Sequence, residues 1–158
     1  MKLNKFLGFI ALPFLAVTLV AQEVEEVVIT GSYIKSSPTD GASPVEIIGR
    51  DEIDNLNATT IADITANIAV NSGSENNSDS FTQGSTQGTS NINLRGLGLS
   101  STLVLVDGKR HTLAGNTAND GSVFVNTSSI PVIALDRVEV LKEGAASIYG
   151  SDAVAGVV

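Results

Sequence analysis

From residue 44 onward the spacing of apolar positions changes from that of a strand to that of a helix. Pro44 to Ile48 (PVEII) is apolar and rich in β-branched residues, and it lies between Gly41 and Gly49, which predicts a short strand. A helical stretch follows in two pieces. The first runs from Arg50 to Leu56; in the second, Thr60-x-x-Asp63 has capping-box spacing and Ile61, Ile64 and Ile68 share one face. The prediction is a strand followed by covering helices.

Residues 71 to 91 break the pattern. NSGSENNSDSFTQGSTQGTSN is almost wholly polar, with Phe81 its one large apolar residue, and cannot form core. It reads either as a loop or linker of no special role, or as a loop that presents amides and hydroxyls to a polar ligand. After it, Thr102 to Val106 is a buried-strand candidate, and Asp107-Gly108 is a tight-turn pair that reverses the chain into Lys109 to Leu113. Residues 115 to 121 (GNTANDG) form a second polar loop, Val123 to Val125 a short strand, and Ile130 to Leu135 a helical turn. Arg137 to Leu141 alternates and is the last clear strand. The sum is a small α+β unit, its sheet built from segments near residues 44, 103, 109 and 137.

The two ends differ from this middle. Met1 to Lys5 carries two lysines, Phe6 to Val20 is nearly unbroken apolar sequence, and Ala21 precedes a cut before Gln22, the order of a secretory signal peptide. A membrane anchor fits less well, because the run falls short of the roughly 20 residues a bilayer helix needs and Pro13 interrupts it. Glu23 to Thr30 is acidic and β-branched, and Gly31 to Pro38 is a flexible connection, so this segment is either a strand on a tether or the first strand of the domain. At the other end, Ala153 to Val158 is an apolar run with no polar cap and no evident pairing partner.

Charge and composition narrow the function. Without residues 1 to 21 the net charge moves from −8 to −10, with 7 basic against 17 acidic residues, which disfavours nucleic acid and anionic membrane surfaces as partners. The chain has no cysteine, hence no disulfide, thiol nucleophile or thiolate metal site. The single His111 has no second His or Cys to complete a metal site and reads as a surface histidine. Gly96-x-Gly98 lacks the third glycine of a dinucleotide fingerprint, position 101 being Ser. No nucleophile elbow, Walker A run or HExxH is present, so the expectation is a protein that is not an enzyme and needs no cofactor.

Four stretches in order carry a resemblance: EEVVITGS (25 to 32), INLRGLG (92 to 98), TLVLVDGKR (102 to 110) and IPVIALDRVEVLKEGAASIYGSDAVAGVV (130 to 158). Together they resemble the plug domain of TonB-dependent outer-membrane receptors. The resemblance implies an α+β plug with a mixed four-stranded sheet and short covering helices, lodged inside a roughly 22-stranded β-barrel. It divides the chain into a signal peptide (1 to 21), a TonB-box segment with its tether (22 to 40), the plug (41 to 152) and the start of a connection to the barrel (153 to 158). The expectation is thus an N-terminal fragment of a receptor in the outer membrane of a Gram-negative bacterium, its own barrel absent and its N-terminal end in the periplasm. The alternative is a free-standing periplasmic binding or signalling module with a plug-like fold.

The resemblance also assigns residues. Glu26, Val27, Val28, Ile29 and Thr30 would pair, as an added strand, with the periplasmic domain of TonB. Arg95 and Lys142 would form a latch to barrel glutamates; VLKEG departs from the family's VLRGP there, and lysine offers a point charge where arginine offers a planar fork. The polar loops would face the ligand through Asn77, Phe81, Gln83, Gln87, His111, Asn116 and Asn119. That ligand would be a small molecule, oligosaccharide, peptide or siderophore, with polar organic chemistry favoured by the loops.

Overall fold

The computed structural model describes Thr30, residues 45 to 75 and residues 86 to 158. Strand β1 is Val45–Gly49, helix α1 Arg50–Asn55 and helix α2 Ile61–Thr65. Both halves of the capping box on α2 are formed: the Thr60 side chain accepts from Asp63 N–H, and the Asp63 carboxylate accepts from Thr60 N–H at 2.8 Å. Thr59 adds its N–H and hydroxyl to the same carboxylate oxygen. These bonds fix where α2 begins. Its apolar face then buries Ile61, Ile64 and, one turn on, Ile68.

Further along lie β2 (Thr102–Leu103), β3 (Leu105–Val106), β4 (Lys109–Arg110), β5 (Arg137–Leu141), helix α3 (Ala146–Tyr149) and β6 (Gly156–Val157). The main sheet has the order β1-β5-β6-β2, with β1 and β6 antiparallel to β5 and β2 parallel to β6. It is the mixed four-stranded sheet expected, but one of its members is not. Lys109 to Leu113 does not join it: β4 pairs with β3 in a separate hairpin, closed by Asp107 (φ 50°) and Gly108 (φ 72°). Two successive positive φ values are those of a turn whose twist matches its strands, which is why Asp-Gly stands there. Thr102 to Val106 is accordingly two short strands, broken at Val104, and Val123 to Val125 is a non-strand segment that Phe124 O ties to Ala114 N–H.

The place left by β4 is taken by the apolar run at 153 to 158, correcting the expectation that this run is unpaired. Leu141 pairs with Val157 on one side, Thr102 and Leu103 pair with Gly156 and Val157 on the other, and Ala153, Ala155 and Val157 are fully buried. Gly156 makes this approach possible. Its φ is +143°, and a Cβ there would stand 2.3 Å from Leu141 O and 2.6 Å from Leu94 Cδ1.

The two faces of β5 build two cores. Val138 and Val140 turn toward Ile48, Ile53, Ile64 and Leu94, whereas Leu141 turns the other way, to Leu103, Ala145, Ala153 and Val157. A third cluster of Leu99, Ala118 and Phe124 anchors the 115 to 121 loop. No helix among the described residues is long and apolar enough to cross a membrane.

Candidate functional site

The residues singled out from sequence fall into three groups. The N-terminal segment is represented by Thr30; Glu26, Val27, Val28 and Ile29 lie outside the described residues. Thr30 touches β5, where its N–H donates to Glu139 Oε2 at 3.1 Å. Glu139 Oε1 in turn accepts from Arg137 Nε at 2.8 Å. Burial pushes the Glu139 carboxyl up, but the hydrogen bonds from Thr30 and Arg137 outweigh it and hold the group below its ordinary value. Neither Arg137 nor Glu139 was singled out from sequence. The signal was present, since RVEVL places the two charges on one face of the strand.

The second group is the charged pair Arg95 and Lys142. Arg95 takes up a left-handed backbone (φ 58°) and sends its side chain to the 153 to 158 run, where Nε donates to Ala155 O at 3.2 Å and Nη2 to Val154 O at 3.0 Å. Within the described residues it is therefore a clasp on a neighbouring backbone. Lys142, just past the end of β5, has Nζ 2.9 Å from Glu46 Oε2 on β1 in an ion pair without hydrogen-bond alignment. The two residues thus serve different partners.

The third group is the polar loops. Asn77, Phe81 and Gln83 lie outside the described residues; Gln87, His111, Asn116 and Asn119 lie within them. Gln87 is exposed on a turn closed by Thr89 N–H to Thr86 O at 3.0 Å. The next residue inward, Ser90, bonds through its hydroxyl to Thr127 Oγ1 at 2.7 Å and Ser128 Oγ at 2.9 Å. Asn126 Oδ1 accepts from both Ser90 N–H and Ser128 N–H. His111 reaches the same short helical turn, with Nε2 3.5 Å from Ser129 Oγ. The Gln87 turn and His111 are thereby joined through residues 126 to 129, a connection that composition alone did not reveal. Asn116 and Asn119 sit apart on the 115 to 121 loop, held by Ala118 in the third cluster and by Ala118 N–H to Ser122 O at 2.9 Å. Asp120, exposed on that loop, has its carboxyl lowered by the hydroxyl and then the N–H of Ser122.

Two further arginines hold loops in place. Arg50 Nη1 donates to Val132 O at 3.0 Å and Leu135 O at 3.1 Å, fixing the turn before β5. Arg110 pairs with Asp152 at 2.6 Å and donates to Tyr149 O, pinning the β3-β4 hairpin to α3. No group of three or more His, Asp or Glu among the described residues is placed to hold a metal ion.

Residues 37 to 157 match the family model described as the TonB-dependent Receptor Plug Domain. The chain belongs to that family. It is 36% identical over 141 residues to the vitamin B12 transporter BtuB of Vibrio vulnificus, covering 87% of this chain and 21% of that protein. It is 38% identical over 71 residues to an iron-regulated outer membrane virulence protein of Vibrio cholerae, covering 44% of this chain and 11% of that one. Among solved structures, a ferric enterobactin receptor of Pseudomonas aeruginosa, PfeA, in complex with enterobactin matches with a TM-score of 0.50 and 27% identity, over 72% of this chain and 16% of that one. These plug-bearing relatives are transporters and receptors, not enzymes. The chain spans about a fifth of the length of the vitamin B12 transporter it matches.

Proposed function

We propose that this plug gates a TonB-dependent outer-membrane receptor and that its N-terminal segment, Glu26 to Thr30, recruits the periplasmic domain of TonB by strand addition. The match of residues 37 to 157 to the plug family carries this reading. Residues 1 to 21 are its export signal, and the segment 22 to 40 is the tether through which a pull reaches β1. The receptor imports a scarce nutrient, and the names of its relatives favour the cobalamin or ferric-siderophore class. Ligand contact falls to the polar loops, where Gln87 and His111 share the support of residues 126 to 129. Their linkage passes ligand contact to the plug interior through hydroxyls that are buried at Ser90 and Thr127.

The barrel latch rests chiefly on Arg95. It is exposed beyond its two backbone contacts, so a carboxylate can approach the outer edge of the guanidinium. Lys142 contributes less, because Glu46 already holds it.

The test is binding between the purified periplasmic domain of TonB and a peptide spanning Glu23 to Ile34. Saturable binding weaker than about micromolar but stronger than about millimolar is expected for a single added strand. No binding at about millimolar peptide overturns the recruitment role.

A further inference from the structure

Asn93, two residues before Arg95, is buried and has a partner for every polar group it carries. Its N–H is shared between Asn71 Oδ1 at 3.0 Å and Ser74 Oγ at 3.1 Å, and its carbonyl accepts from Ser72 N–H at 2.9 Å. The side-chain amide faces two ways. Nδ2 donates to Gly73 O at 3.2 Å, while Oδ1 accepts from Gly98 N–H at 3.0 Å. A carbonyl only accepts and an N–H only donates, so these two partners fix the orientation of the amide. One side chain thus joins the first residues of the polar loop, 71 to 74, to the turn at 95 to 98.

That turn is not a relaxed one. Arg95 is left-handed at φ 58°, a conformation disfavoured by about tenfold for a residue with a Cβ. It persists because its neighbours hold it: Arg95 N–H donates to Val70 O, Leu94 N–H to Thr102 Oγ1 at 3.0 Å, and Gly98 N–H to the Asn93 side chain. From this backbone the Arg95 side chain reaches Val154 O and Ala155 O. A turn relaxed to an ordinary φ would carry the guanidinium away from both. We propose that Asn93 is the positioning residue for Arg95, and that its bond to Gly73 makes the Arg95 clasp depend on the first residues of the polar loop. Movement of residues 71 to 74 then frees Arg95 from the 154 and 155 carbonyls. The consequence for gating rests on the reading of Arg95 as the contact to the barrel, whereas the dependence itself does not.

Hydrogen exchange of the Arg95 Nε–H, which donates to Ala155 O, reads the clasp directly and needs neither barrel, ligand nor TonB. It is compared in the native full chain and in Asn93→Asp, with the amides of the β1-β5 ladder as the check on the fold. The substitution keeps an oxygen for Gly98 N–H but sets a carboxylate oxygen against Gly73 O, where a donor stood. Near neutrality, Arg95 Nε–H exchange is expected to be about tenfold faster than in the native chain at the same pH. As pH falls through the range of the introduced carboxyl, the protonated acid again donates to Gly73 O, and the ratio to native should return toward one. Unchanged Arg95 exchange beside an intact ladder overturns the proposal, and so does a ratio that stays high in acid. If Asn93→Asp disturbs the ladder, Ser74→Ala decides by Arg95 exchange alone: it removes one acceptor of the Asn93 N–H from the loop side, and about a threefold acceleration is expected. Failure of TonB to bind would overturn the recruitment role and leave this result standing.

Discussion

At the residue scale the sharpest constraint is Gly156. Its φ of +143° and the 2.3 Å that would separate a Cβ from Leu141 O leave an added methyl no room without moving β5 or β6. Gly156→Ala is expected to destabilise the chain by about 1–3 kcal/mol or more, as other forced insertions into packed interiors do. Urea unfolding measures it as a lower midpoint at unchanged slope. Gly115→Ala is the matched control, since a Cβ there meets nothing within 4 Å. It should leave the midpoint where it is. Arg95 acts on the same segment, giving two donors to the carbonyls of Val154 and Ala155.

At the element scale, α2 depends on its first turn. It has only five residues, too few to persist on intrinsic preference, so the cap and the buried isoleucine face hold it. Thr60→Ala is expected to cost about 1 kcal/mol, read from the same urea midpoint. The pH dependence follows from the partner carboxyl. Hydrogen bonds from the Thr60 and Thr59 N–H groups, then from their hydroxyls, hold Asp63 below its ordinary value. Glu139 is also lowered, by Thr30 and Arg137 against the opposing effect of burial. A carboxyl lowered in the folded state stabilises fully above its unfolded value, and that contribution disappears as pH falls through the folded value. Stability should therefore be level near neutrality and decline below the ordinary carboxylate range. In Asp63→Asn this decline should be shallower, and a urea series across acid pH checks it.

At the scale of the whole molecule, the described residues leave several large apolar side chains in water, foremost Ile133 at 90% exposure, with Leu113 at 54% and Leu97 at 52%. Among the described residues almost nothing covers Ile133. Ile133→Ser should shift unfolding by less than about 0.5 kcal/mol, measured beside Ile64→Ala, which empties a fully buried site and should cost about 2–5 kcal/mol. A larger effect at Ile133 would show that it packs against a part of the chain beyond the described residues. The pairing of β6 also bears on the plug as a unit. Val45, Leu141 and Val157 form one row across three strands, so the start of β1 and the end of β6 lie at the same end of the sheet.

The amino-acid sequence by itself determined the elements whose causes are local. The capping box spans four residues, the Asp-Gly hairpin turns on two, and the alternation of Arg137 to Leu141 is the pleat of a single strand. Each is set by contacts between near neighbours, which periodicity and turn chemistry report directly. The ordered motifs likewise identified the plug family. Tertiary structure decided the features that depend on closing long loops: that the two-residue β6, not β4, completes the sheet, that Arg95 clasps carbonyls 59 and 60 residues away, and that Glu139 meets Thr30 across 109. A two-residue strand has almost no pattern of its own. Its place follows from a missing Cβ at Gly156 and from partners brought together only when the rest of the chain has folded.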